Sequence, residues 1–352
     1  MKTINKHRTL TFHLILILIF LIFNIIFSKN NFAAIYGAVK FFEFVFFGFF
    51  TIYKIRDINF NLALLALSIG VFFQSLLSTF QYIKQSSLGG ILYFFGERTF
   101  NGQTPGIANI SAGGDLILRA YGTFSHPNVL AGFLLITLTL LIFNLRLKKI
   151  TDSFYLTSVI LGSVALFLTF SRIAILLWII TLCIFLFSKV KISLFKKVIA
   201  VLIVLASLLI SSVIYSPFYF RFIQSSLFEE SFVVREKIIY QSFDIFTKNP
   251  IIGAGINNYF SLPISLNNVF VIQPVHNIFM LILVQTGIIG FLYSLWFLLK
   301  LFKSVINKPV ALKLLLFYII AIGVFDHYFL TLQQGQLMLS FLIGYILSKK
   351  NE

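Results

Sequence analysis

Charge is scarce in this chain of 352 residues: Asp, Glu, Lys and Arg together make up 11%, where a soluble domain carries about 25%. The apolar fraction is 59% and the mean hydropathy +0.97. So little polar surface cannot clothe a globular core, which excludes a soluble enzyme and a disordered chain alike. Acids are the scarcest, 11 against 28 Lys and Arg. The resulting charge of +17 would suit nucleic acid if the cations gathered on one folded face. They stand instead at the ends of apolar runs, so no nucleic-acid partner is expected. A single cysteine, Cys183, excludes an intrachain disulfide and any cysteine-built zinc site. No Asp-x-Asp occurs, and Glu229-Glu230 is the one close acidic pair on what is read below as the outer side. Clustered carboxylates for a catalytic divalent cation are therefore missing, and neither metal nor cofactor is expected. Phenylalanine is abundant, at 45 residues, but it spreads over the apolar runs without period and marks a compositional bias rather than an aromatic box.

What the chain has in quantity is long apolar runs. A hydrocarbon core about 30 Å thick needs about 20 apolar residues at 1.5 Å rise, and in it only helices satisfy their own backbone. Ten such spans are expected, at about 9–28, 32–53, 59–81, 127–145, 153–170, 173–188, 195–216, 276–299, 310–330 and 335–348. The first follows Lys2, Lys6 and Arg8 and exceeds the core of a signal peptide, so it reads as a retained helix. The fold class is thus an all-α polytopic membrane protein, one integral membrane domain over 1–352. Two long polar loops interrupt it, at 82–126 and 217–275.

Lys and Arg near helix ends are held on the cytoplasmic side. Numbering the connections alternately puts eighteen cations on one side beside only Asp57, Asp152 and Glu352, and nine cations with seven acids on the other. Both termini are then cytoplasmic and both long loops extracytoplasmic. Lys40 and Glu43 fall mid-span at i,i+3, as a pair that can neutralise itself.

Unusual polar residues gather at the outer boundary in five places. Arg119-Ala-Tyr-Gly-Thr-Phe-Ser-His-Pro-Asn128 runs into the fourth span. Pro127 suits a first helical turn with Ser125, His126 or Asn128 at the cap, and an Arg beside a helix start also makes an anion site. Thr169-Phe-Ser-Arg172 is a tight outward turn, whose arginine either snorkels or meets something negative. From Arg235 to Asn249 a stripe of Val234, Ile238, Phe243, Ile245 and Phe246 suggests an interfacial helix, and the Asn249-Pro-Ile-Ile-Gly253-Ala-Gly255 that follows permits close backbone approach to a ligand. Pro274-Val-His276-Asn277 opens the eighth span, with His276 as a cap or a proton acceptor. Asp326-His327 with Gln333, Gln334 and Gln336 reads as an ordinary polar loop or a sugar-binding rim.

Arg119, Arg172, Arg235, His126, His276 and His327 all fall on one membrane face by a criterion blind to function. Arginine presents a planar fork that matches phosphate, and a low-dielectric boundary strengthens such pairs. A lipid-borne diphosphate is the fitting guest, and a histidine beside it could deprotonate an attacking hydroxyl, worth roughly 10²–10⁴-fold in rate.

The string Arg119…Gly122-Thr-Phe-Ser-His-Pro-Asn-Val-Leu-Ala131, then Ser171-Arg172, then Arg235 with Asn249-Pro-Ile-Ile-Gly-Ala-Gly255, then His276-Asn277 with Gly287 and Gly290, resembles the O-antigen ligase and polymerase family. The resemblance covers a ligase-like region of about 85–350, strongest over 85–300, with fewer spans than the family's ligases usually have. It implies a bacterial inner-membrane glycosyltransferase similar to the lipid-donor (GT-C type) superfamily, with its active site on the extracytoplasmic face. Such an enzyme moves a glycan from undecaprenyl diphosphate to a glycan, lipid or protein hydroxyl without a metal. By the same resemblance Arg172 and Arg235 would hold the leaving diphosphate and His276 would activate the acceptor. Arg119 and His126 would shape the donor site, with Asn128, Gly253, Gly255 and Asn277 in the binding shell. A polyprenyl-phosphate flippase or other transporter is the alternative. It would be expected to carry charges and broken helices near the midplane, where only Lys40 and Glu43 lie.

Overall fold

A computed structural model describes residues 2–55, 60–145, 150–191, 193–199, 216–224, 230–261 and 273–348. Its long helices are α1 (Lys2–Ile26), α2 (Asn31–Lys54), α3 (Phe60–Lys84), α4 (Pro127–Asn144), α5 (Ile150–Leu168), α6 (Arg172–Lys189), α7 (Glu230–Lys248), α8 (Ile278–Val305), α9 (Val310–Phe325) and α10 (Gln333–Ser348). By length and composition five of these, α2, α3, α4, α6 and α8, can cross a membrane, with shorter apolar stretches in α1, α5 and α9. Of the expected span at 195–216, residues 195–199 and Ser216 are helical and 200–215 lie outside the described residues, as do Glu229 and the side chain of Glu230.

Helix α4 is the hub. It is apolar on every side, and Val129 to Ile142 are buried except for Phe133, as befits a helix with no polar face. Packed around it are α3, α5, α6, α9 and α10, with Trp178, Tyr318 and Phe329 filling the core. Here the Tyr318 hydroxyl serves both Thr139 and Thr181. Paired contacts fix relative directions. Gly48 meets Ser340 and Gly344 meets Thr51, so α2 and α10 run parallel. Tyr155 bonds Asn61 and Ser158 bonds Ser68, so α3 and α5 do too. Helices α4 and α9 are antiparallel, from Asn128–Asp326 to Thr139–Tyr318.

Three expectations need correction and a fourth gains a partner. The chain is not helical throughout: the first long loop contains an antiparallel hairpin, β1 (Asn109–Ala112) and β2 (Asp115–Leu118), turned by Gly113-Gly114. The ninth span stops at Phe325, not 330, because Asp326 is extended and a separate short helix, Tyr328–Thr331, follows. In α7, Phe243 is exposed while Ser242 is buried, so the inward stripe is Val234, Ile238 and Ser242 with Ile245 and Phe246. Lys40 and Glu43 do pair, at 2.7 Å, but Gln333 at the start of α10 joins them, accepting from Lys40 at 3.1 Å and donating to Glu43 at 3.4 Å. The pair therefore lies level with the start of α10 and ties α2 to it.

The loop after α7 docks on α8 backbone to backbone. Ala254 and Gly255 donate to the carbonyls of Val284 and Gln285 (2.9 and 3.1 Å), and Ile288 donates to the Pro250 carbonyl at 2.8 Å. Asn24 of α1 clamps the joint, donating to Ile252 and Gln285 carbonyls and accepting from Ile256 N–H. The joint is possible because α8 breaks at Gly287, whose φ of 62 is left-handed. The close approach that Gly253 permits is thus to this helix: a Cβ there would lie 2.5 Å from Thr286 N and Gly287 N.

Gly253→Ala should accordingly cost on the order of 2 kcal/mol, from overpacking and a positive φ. Gly102→Ala, with nothing within 4 Å of its Cβ position, should cost little. Thermal aggregation of the two purified variants in detergent checks the contrast; equal midpoints would contradict it.

Candidate active site

One face of the bundle collects the ends of most helices. Helices α4, α6, α8 and α10 begin there, and α5 and α9 end there. Ala120 donates to the last residue of α5, Leu168 (3.0 Å), and Asn277 Nδ2 donates to Val324 near the end of α9 (3.1 Å). Polar residues at helix boundaries, sparse in each segment, become dense because the boundaries share one level.

The centre of this face is Asp326, 5% exposed. Its Oδ2 accepts from Asn128 Nδ2 at 2.7 Å, and its Oδ1 accepts from the His327 N–H at 2.8 Å. The same Oδ1 stands 3.6 Å from His276 Nδ1, a buried nitrogen without a hydrogen bond. On the far side of that ring, Nε2 lies 3.1 Å from Gln273 Oε1. The His276 and His327 rings pack with centroids 4.8 Å apart. Burial alone would raise the Asp326 carboxyl; the His276, His327 and His126 rings outweigh it and hold the group well below the usual carboxylate range. Burial pushes His327 down to about 4 and His126 down to about 3, so both rings are neutral at pH 7.

Arg119 extends the network. Buried itself, it donates through Nε to the Thr169 carbonyl and through Nη2 to Asn128 Oδ1, both at 2.6 Å. Asn128 thus relays between an arginine and a carboxylate. Burial, then the charge of Arg221, lowers Arg119 to about 9, which leaves it cationic at neutral pH. Thr169 belongs to the turn that delivers Arg172 as the first residue of α6, where Ser171 caps the helix without a side-chain bond.

A groove of about 500 Å³ opens on this face, lined by Arg235, Glu236, Ile239 and Tyr240 of α7, by His276, and by Val324 and Phe325 of α9. Arg235 and His276, far apart in sequence, therefore share one cavity. Arg119, Arg172 and His126 are not among its lining residues. Arg172 starts α6 three residues after Thr169, whose carbonyl Arg119 holds, and His126 caps α4, accepting from Asn128 N–H at 3.1 Å. Asn277, not His276, caps α8, accepting from Met280 N–H at 2.9 Å.

Sequence reasoning missed the weight of Asp326, which it left in a polar rim. An acid directly after an apolar run, next to a histidine on the acid-poor chain, was the available signal. It also passed over Arg221, which sits in a π-turn, Tyr219–Gln224. That turn is held against the Arg172 turn by Phe218, whose ring packs tilted on Phe170 with centroids 4.7 Å apart.

His276, Asp326 and His327 are the one group among the described residues that could offer ligand atoms to a metal, with those atoms within 4.8 Å of one another. Tetrahedral zinc would draw such atoms to about 3.4 Å apart. The neighbouring charge of Arg235 and Arg119, felt by His327 and Asp326, opposes a dication there.

A multi-pass helical membrane protein with a cationic, imidazole-bearing site at one end of its bundle is the class these features define. Residues 157–295 match the family model described as O-antigen ligase. That match supports the O-antigen ligase/polymerase family for this chain. The matched region runs from α5 through Arg172, Arg235, the glycine loop and His276 into α8 as far as residue 295. No curated protein and no solved structure matches the chain.

The two depressed imidazoles set a pH dependence. An unfolded chain takes up these protons near 6.5 and the folded chain only near 4 and 3. Between those values the unfolded state binds more protons, so stability falls as pH drops from about 6.5 towards 4. The contribution of Asp326, whose carboxyl is lowered, is lost only further down. Thermal midpoints measured across this interval should fall in the wild type and fall less in His126→Asn, which keeps a capping side chain. A flat wild-type profile would contradict the assignment.

Proposed function

We propose that the chain is a metal-independent glycosyltransferase of the bacterial inner membrane, transferring a glycan from undecaprenyl diphosphate to an acceptor hydroxyl on the extracytoplasmic face. The reading rests above all on the groove shared by Arg235 and His276, with Asp326 behind the imidazole. With its proton on Nδ1, towards Asp326, and the Gln273 side chain turned from Nε2 as the acceptor enters, His276 offers an Nε2 lone pair to the groove. The acceptor hydroxyl oxygen attacks the anomeric carbon as its proton passes to that Nε2. The bond from the anomeric carbon to the diphosphate oxygen breaks, and the electron pair leaves with the diphosphate. Arg235 and Arg172 take up the charge that builds on the leaving group, the term that preorganised donors stabilise most. An arginine at a helix start without a side-chain cap, as at α6, adds the helix dipole to its own charge. Arg221 and Arg119 extend the cationic field behind it.

Asp326 is then a positioning residue: it fixes the tautomer and stabilises the imidazolium that forms. Arg119, Asn128 and His126 build the wall that holds Asp326. Gly253 and Gly255 act by seating the α7–α8 loop, and Asn277 by starting α8 where His276 faces the groove. Helix directions support an outward site and ten crossings. Since α6 and α8 both start at this face, the chain must return to it between 190 and 277, where the seventh span is expected.

Reconstitution with a polyprenyl-diphosphate glycan and an acceptor, in EDTA, tests the scheme. His276→Ala should lower kcat by roughly 10²–10⁴-fold, and Arg235→Ala and Arg172→Ala should each abolish most turnover. Asp326→Asn should lower kcat with KM little changed and should alter the pH profile of the residual rate. Unchanged turnover in His276→Ala and Arg172→Ala, or loss of wild-type activity on chelation, would sink the proposal.

A further inference from the structure

The first long loop, read from sequence as extracytoplasmic throughout, contains a segment that the fold turns back towards the lipid. After α3 ends at Lys84, residues Gly90–Phe95 form a 3₁₀ turn of sequence Gly-Ile-Leu-Tyr-Phe-Phe. Ile91, Tyr93, Phe94 and Phe95 are 72%, 64%, 85% and 63% exposed. The exposure is built in. Buried Glu97 accepts from the N–H groups of Leu88 and Gly89 at 2.7 and 2.8 Å, closing the base of the turn. Its own N–H donates to the Leu92 carbonyl, and Gln81 of α3 donates to its carboxylate. A clamp of this kind holds the four side chains out rather than letting them collapse.

Depth comes from α3. The Phe95 ring packs on Phe73 with centroids 6.1 Å apart, and Phe73 precedes the end of α3 by eleven residues, roughly 16 Å of helix. Three residues earlier on α3, Gly70 faces Phe133 in the second turn of α4. Phe95 is therefore level with the opening turns of α4, where that helix is already apolar on all sides. A candidate membrane span, Asn61–Lys84, supplies the surface the turn lies along.

We infer that Ile91–Phe95 is a re-entrant wedge seated in the outer-leaflet acyl chains beside α3. Clamped apolar groups at that level are stable in hydrocarbon and costly in water, and Tyr93 carries the amphipathic ring favoured at the headgroup boundary. The wedge is joined to the site. Arg98 donates to the Phe124 and Ser125 carbonyls at 3.3 and 2.8 Å and lies over the Tyr121 ring. It thus anchors the 119–128 loop at the depth of a lipid-borne substrate. This inference needs only that the chain spans a membrane, not that it transfers sugar.

The test uses the full chain with Cys183, its only cysteine, replaced by Ala. Phe94→Cys is labelled with an environment-sensitive fluorophore and reconstituted in phosphatidylethanolamine–phosphatidylglycerol vesicles. Tyr93→Cys serves as a second probe site, and Gln103→Cys in the same loop as the water-exposed reference. The wedge positions should emit to the blue of the reference, lose most of their intensity to nitroxide-bearing acyl chains, and resist aqueous iodide. Emission and iodide quenching equal to those of Gln103→Cys at both positions would overturn the inference.

Discussion

The Asp326 carboxylate is the interaction on which the polar face depends. Placed just beyond α9, it receives Asn128 from the start of α4, the His327 backbone, and the flank of His276 at the start of α8. Through Asn128 it also reaches Arg119 and hence the turn that begins α6. A buried carboxylate is costly unless hydrogen-bonded and opposed by positive charge. Here the bonds come from Asn128 and the backbone, the His276, His327 and His126 rings favour the carboxylate, and the Arg119 guanidinium stands one residue removed. That separation keeps an imidazole, not an arginine, against the acid.

A second constraint holds the groove open. The loop after α7 could pack on α8 only where the helix offers backbone groups sideways, and the break at Gly287 provides them. Asn24 from α1 fills the remaining donor and acceptor positions. The glycines that in sequence suggested a ligand cradle are thus the hinge seat on which α7, and with it Arg235, is set opposite His276. Stability and site geometry share these residues, so a substitution there should affect both.

The helices were legible because an apolar run of about 20 residues has a single solution in hydrocarbon, and the charge asymmetry ordered them without reference to function. The gathering of Arg119, Arg172, Arg235, His126 and His276 at one end of the bundle was legible for the same reason, as polar residues at span ends. Partnership was not. That Asp326 backs His276 depends on α8 and α9 being antiparallel neighbours in one register, which no local pattern encodes. The hairpin was in principle readable from Gly113-Gly114 between short alternating segments, but four-residue strands give little period. The pairing of Lys40 with Glu43 was legible from their i,i+3 spacing, but the third partner, Gln333, was not, because it comes from another helix.

The most direct test of the account is to see the diphosphate. A cryo-electron microscopy map of the protein in lipid nanodiscs with a polyprenyl diphosphate lacking a transferable glycan should show the two phosphates in the groove. The Arg235 and Arg172 forks should lie within hydrogen-bond distance of them, and His276 should face the vacant glycan position with Asp326 at its back. Phosphate density elsewhere on the bundle, or both forks turned away from a diphosphate bound in the groove, would contradict it.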